Sequence, residues 1–84
     1  MERKVMVAFN TVDEVAAFVK DMSRFPEEVH IDLVSGRFTV SAVSLLGILS
    51  LDLSKPVEVK VTSNSDYVYI KDDVYKVLFA KYTV

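Results

Sequence analysis

The side chains that could do covalent or acid–base chemistry are few, and they do not converge along the chain. There is one histidine, His30, and there are no cysteines. The absence of cysteine removes thiolate metal sites, a disulfide framework and a thiol nucleophile. A hydroxyl nucleophile needs a base within hydrogen-bond reach. Thr11 has none beside it in sequence. Asp13-Glu14 and Asp72-Asp73 are adjacent carboxylates, and neighbours on a helix do not face each other, so they read as solvated faces. Gly36 and Gly47 are the only glycines, which leaves no glycine-rich phosphate loop. No spacing of histidine and carboxylates suits a metal. The expectation is a chain with no metal, no cofactor and no enzymatic centre.

These side chains must be placed by elements that hydrophobic periodicity outlines. Val5, Val7 and Phe9 alternate with Met6 and Ala8 as a first strand. Thr11 opens a helix, and Thr11 with Glu14 has the spacing of a capping box, in which each side chain accepts from the other's backbone N–H. Val12, Val15, Phe18, Val19 and Met22 recur at helical spacing. Phe25-Pro26 ends that helix, because a residue before proline is pushed out of the α region. Val29, Ile31 and Leu33 form a second strand, and His30 points to its opposite face. That position suits a solvated imidazole or a partner contact.

Ser35-Gly36 signals a hairpin, and Phe38 and Val40 mark a third strand. Ser41 or Ser44 can cap a short second helix running to about Leu51. Val57, Val59 and Val61 make a fourth strand with one wet face. Ser63-Asn64-Ser65-Asp66 is a turn and a cap. A last helix runs from about Asp66 or Asp72 to Lys81, with Ile70, Val74, Val77 and Leu78 on one side and Lys81 snorkelling at the edge. Tyr67, Tyr69, Tyr75 and Tyr82 crowd this final segment, as packing at a helix edge or as a binding surface. The expected core is Val15, Phe18, Val19, Met22, Ile31, Leu33, Phe38, Val40, Ile48, Val57, Val59 and Val61.

At 84 residues, 51% of them apolar, the chain reads as a single domain over 1–84 with a real core. Its net charge of −2 and the lack of any Lys/Arg cluster speak against nucleic acid, which needs a basic stripe to displace counterions. The apolar run Val5 to Phe9 is too short for a signal-peptide core or a membrane span. The lack of cysteine is compatible with a reducing cytoplasm.

The order β-α-β-β-α-β-α predicts an α+β fold with helices on one face of an antiparallel sheet. Two architectures share the first six elements: the ferredoxin-like one, with strand order 4-1-3-2, and another with order 1-4-2-3. The run Val43-Ser44-Leu45-Leu46-Gly47-Ile48-Leu49-Ser50-Leu51 resembles the second-helix motif of HPr, the histidine phosphocarrier family of the bacterial sugar phosphotransferase system. Met22-Ser23-Arg24-Phe25 resembles the end of that family's first helix. The resemblance covers about Val5 to Ser63. It implies an open-faced sandwich, with a four-stranded antiparallel sheet in the order 1-4-2-3 covered on one face by three helices.

In that family a histidine before the first helix takes the phosphate, followed by an arginine and a proline. Thr11 falls on the histidine position, Asp13 on the arginine and Glu14 on the proline. Two carboxylates thus sit in a first helical turn where a phosphoryl group would need a cation. The resemblance also places Ser44 at the family's regulatory serine, whose phosphorylation would put charge at a helix N-terminus. A plain cap is the other reading of that serine. Leu45, Leu46 and Leu49 match apolar residues exposed to partners; the alternative is that the last helix or a sister chain covers them. The leading expectation is a degenerate or regulatory HPr-like protein without phosphocarrier activity. Its partners would be phosphotransferase components, a serine kinase or a regulator. The alternatives are a phosphocarrier that uses a non-standard residue and an unrelated ferredoxin-like interaction module.

Overall fold

The computed structural model describes residues 5–82. Along the chain these form β1 (Val5–Val7), α1 (Val12–Met22), β2 (Val29–Ser35), β3 (Phe38–Ser41), α2 (Leu45–Leu49), β4 (Val57–Ser63), one 3-10 turn (Ser65–Tyr67) and α3 (Val68–Lys81). The four strands make one antiparallel sheet in the order β1-β4-β2-β3. This is the α+β arrangement expected from the resemblance, and it excludes the ferredoxin-like order.

The register sorts the side chains. Leu33 pairs with Val59 and Ile31 with Val61, while Val5 and Val7 face Val59 and Val57. All of these are buried, and they share the core with Val15, Phe18 and Met22 of α1, Ile48 of α2 and Val74 and Leu78 of α3. A strand sends alternate side chains to opposite faces, so the other set looks outward. His30 pairs with Thr62, Asp32 with Lys60 and Val34 with Glu58 on the face without helices.

Local chemistry explains the breaks. Gly36 begins the β2–β3 turn at a φ of 59°, a conformation open to glycine at little cost. Ser44, not Ser41, caps α2, and its Oγ accepts from the Gly47 N–H at 3.1 Å. A Cβ on Gly47 would lie 2.8 Å from that Oγ and 3.3 Å from the Val40 Cβ, so glycine lets α2 sit close over β3. Asn64 opens the C-terminal segment, its Oδ1 accepting from the Asp66 N–H at 3.1 Å. That cap opens the 3-10 turn, and α3 itself begins at Val68, between the two expected starts at Asp66 and Asp72.

Several expectations are corrected. Phe38 is 68% exposed and is no core residue. It pairs with Ser35 at the hairpin end of β3, past the cover that the helices give to Val40. Val19 and Val40 are half-buried against the core, and Val12 is exposed. β1 ends at Val7, yet Phe9 beyond it is buried edge-to-face against Phe18, with ring centroids 5.2 Å apart. α2 closes at Leu49 instead of Leu51, because Ser50 caps it and its Oγ donates to the Gly47 carbonyl.

Candidate functional site

The surface worth attention lies at two short helical starts. At the first, Thr11 is extended, with φ −138° and ψ 158°, and its Oγ accepts from the Glu14 N–H at 3.1 Å. Glu14 answers, but one residue earlier than a capping box requires. Its Oε2 accepts from the Asn10 N–H at 2.9 Å, not from that of Thr11. Asp13 is exposed in the same turn. Among the described residues the ion pairs are Arg24–Asp21 and Lys81–Asp21, so no cation joins Asp13 or Glu14. Thr11 is thus a cap whose oxygen is engaged, flanked by carboxylates that no described cation pairs. This arrangement orients backbone and repels anions.

The second start is α2. Ser44 is half-buried, and its carbonyl accepts from the Ile48 N–H at 3.0 Å while its Oγ holds Gly47. With Ile48 fully buried, the rotation of one short helix turns its remaining apolar side chains outward. Leu46 is 81% exposed, Leu45 and Leu49 are just over a third exposed, and Val43 before the cap is half-exposed. No described element covers Leu46. Apolar side chains exposed together mark contact with another molecule where they form one large patch.

His30 stands apart from both. It is exposed on the helix-free face of β2, and its imidazole makes no hydrogen bond to another described residue, so it joins neither Thr11 nor Ser44 in a common site. The tyrosines divide. Tyr75 is buried and Tyr67 half-buried, whereas Tyr69 is exposed.

Tyr82 anchors a cluster that the sequence reading missed. Its hydroxyl donates to the Asp21 carboxylate at 2.5 Å, and the Lys81 ammonium donates to the same oxygen at 3.3 Å. Arg24 approaches the other oxygen at 3.9 Å. The Tyr82 hydrogen bond holds the Asp21 carboxyl below its usual range against the desolvation of burial, and Lys81 and Arg24 reinforce it. Burial, followed by the hydrogen bond to Asp21 and then its charge, pushes the Tyr82 hydroxyl well above its ordinary value. The faint sequence signal was Asp21 itself, a carboxylate inside the Phe18–Met22 stripe of α1.

Among the described residues no group of His, Asp and Glu could hold a metal ion, and no helix is long and apolar enough to cross a membrane. No family model, curated protein or solved structure matches this chain.

Proposed function

We propose that this chain is an HPr-like protein of the sugar phosphotransferase family that has lost the phosphocarrier step and works by binding a cytoplasmic protein partner through α2. The observation that carries this reading is the exposure of Leu46, flanked by Leu45 and Leu49, on a helix whose position is fixed by the Ser44 cap and the buried Ile48. The strand order and the second-helix motif agree with that family. The carboxylates of Asp13 and Glu14 and the engaged Thr11 hydroxyl argue against phosphate transfer at the first helix. Ser44 is the regulatory position in this reading. Its oxygen serves Gly47, so a phosphoryl group there would alter the cap and the surface together.

The test is a titration of the isotope-labelled chain with the general phosphotransfer enzyme and with a sugar-transport component of the same system. Shifts concentrated at Leu45, Leu46 and Leu49 support the proposal. Binding centred on the helix-free sheet face, or none to either protein, counts against it.

A further inference from the structure

The N-terminal half of β2 has an open edge. β3 pairs with β2 only from Asp32–Ser41 to Ser35–Phe38, so Val29, His30 and Ile31 continue without a strand on that side. The chain turns away after Ser41, and the Ala42 N–H donates to the Ile31 carbonyl at 2.9 Å. That bond fixes the geometry, because the N–H and C=O of a strand residue point to one edge and those of alternate residues share it. The Ile31 N–H and the Val29 carbonyl therefore face the same edge. No residue of β3 or of the following turn reaches either of them. Val29 uses its own N–H locally, donating to the Pro26 carbonyl at 3.0 Å.

A groove of about 510 Å³ opens beside these groups, between the end of α1, the start of β2 and the turn after β3. Met22, Phe25 and Val43 give it apolar walls, and Glu27, His30 and Asp32 line its polar side. Lys60 stands opposite Asp32 across the sheet. Glu27 has no cation against it among the described residues, and the nearby Arg24 is turned to Asp21.

We propose that this groove binds an extended peptide segment carrying apolar residues and a lysine or arginine, which adds to β2 as a short parallel strand. A single residue whose N–H meets the Val29 carbonyl and whose carbonyl meets the Ile31 N–H forms a parallel bridge opposite His30. That residue lies on the His30 face and carries the basic side chain toward Glu27, while both its neighbours place apolar side chains into the groove. Val43 borders both surfaces but the α2 leucines do not line this groove, so responses at Ile31 and Glu27 separate the proposal from the α2 reading.

The probe is an acetylated, amidated pentapeptide of alternating valine and lysine, titrated into the isotope-labelled full chain. The largest shifts are expected at Ile31, Glu27 and Val43. N-methylation of alternate peptide bonds removes a backbone donor and weakens binding by about tenfold. Glu27→Lys, at an exposed loop position, also weakens it. In the free chain the Ile31 amide exchanges with solvent faster than that of Leu33, and the peptide slows it. The proposal is overturned by equal binding of a valine–glutamate peptide, by indifference to N-methylation, by shifts confined to α2 or by no shifts. An Ile31 amide already protected in the free chain, or a self-associated chain that buries this edge, overturns it as well.

Discussion

Tyr82 and Asp21 lie 61 residues apart in sequence, and the tyrosine hydroxyl donates directly to the aspartate carboxylate. The Tyr82 ring also stands edge-on to Phe18, with centroids 5.1 Å apart. One side chain therefore fastens the end of α3 to α1 by a polar and an apolar contact at once.

This clasp predicts a stability profile with two flanks. Asp21 titrates lower in the folded chain than its ordinary 3.8. Its contribution is present above that pH and is lost as pH falls through the lower folded value. Tyr82 titrates higher than its ordinary 10.0. Its contribution is present below pH 10.0 and is lost as pH rises toward the folded value. Urea unfolding of Tyr82→Phe at neutral pH should show a loss of about 1–3 kcal/mol, because a nearly buried carboxylate loses its best donor. The alkaline flank should flatten in that variant, and the acid flank should flatten in Asp21→Asn.

Gly47→Ala tests the α2 cap. The new methyl would meet the Ser44 Oγ at 2.8 Å and the Val40 side chain at 3.3 Å. Ser44→Ala removes only the capping acceptor and should cost about 0.5–2 kcal/mol. Gly47→Ala should cost more than Ser44→Ala, because it also pushes α2 off β3. Thermal melts of the two variants give the order, and a smaller loss for Gly47→Ala would mean that α2 shifts freely.

Leu46→Asp should leave unfolding within about 0.5 kcal/mol of the parent, as exposed positions do. It should also abolish contact with the partner of α2. Calorimetry and a binding titration on the same sample separate these outcomes. A fall in stability by several kcal/mol would place Leu46 in the core. Val74→Ala, by contrast, removes a fully buried side chain and should be plainly destabilising.

Incubated with phosphoenolpyruvate and the general phosphotransfer enzyme, the chain should gain no acid-labile phosphate. Thr11→His alone should restore little, since Asp13 remains and Glu14 still holds the Asn10 N–H. Thr11→His with Asp13→Arg should do better, because a guanidinium pairs phosphate oxygens through two parallel bonds. Mass spectrometry that finds robust phosphorylation of the unaltered chain, at His30 or elsewhere, would end the non-carrier reading.

Periodicity carried most of the fold, because every strand but β3 buries alternate residues over its length. It failed at Phe38, whose spacing matches Val40 but whose place at the hairpin end lies past the helical cover. The helix start at Thr11 was legible because a cap is a local arrangement. Its reciprocal bond was misplaced by one residue, since periodicity says nothing of where a Glu14 rotamer ends. The outward turn of Leu46 followed from Ile48 being the residue of α2 that must be buried. Asp21 and Tyr82 were illegible as a pair, because nothing local links residues so distant. The open edge of β2 was equally hidden, since it depends on where β3 leaves the sheet.

The strand order also governs when the sheet can close during synthesis. β1 has a single neighbour in the sheet, and that neighbour is β4. A nascent chain can form the β2–β3 hairpin early, since its strands are joined by a tight turn. β1 waits unpaired until residues 57–63 have left the ribosome and slid between it and β2. β1 is thus among the last of these strands to find its place, and the interval before β4 arrives is when Val5 and Val7 are most exposed to wrong partners.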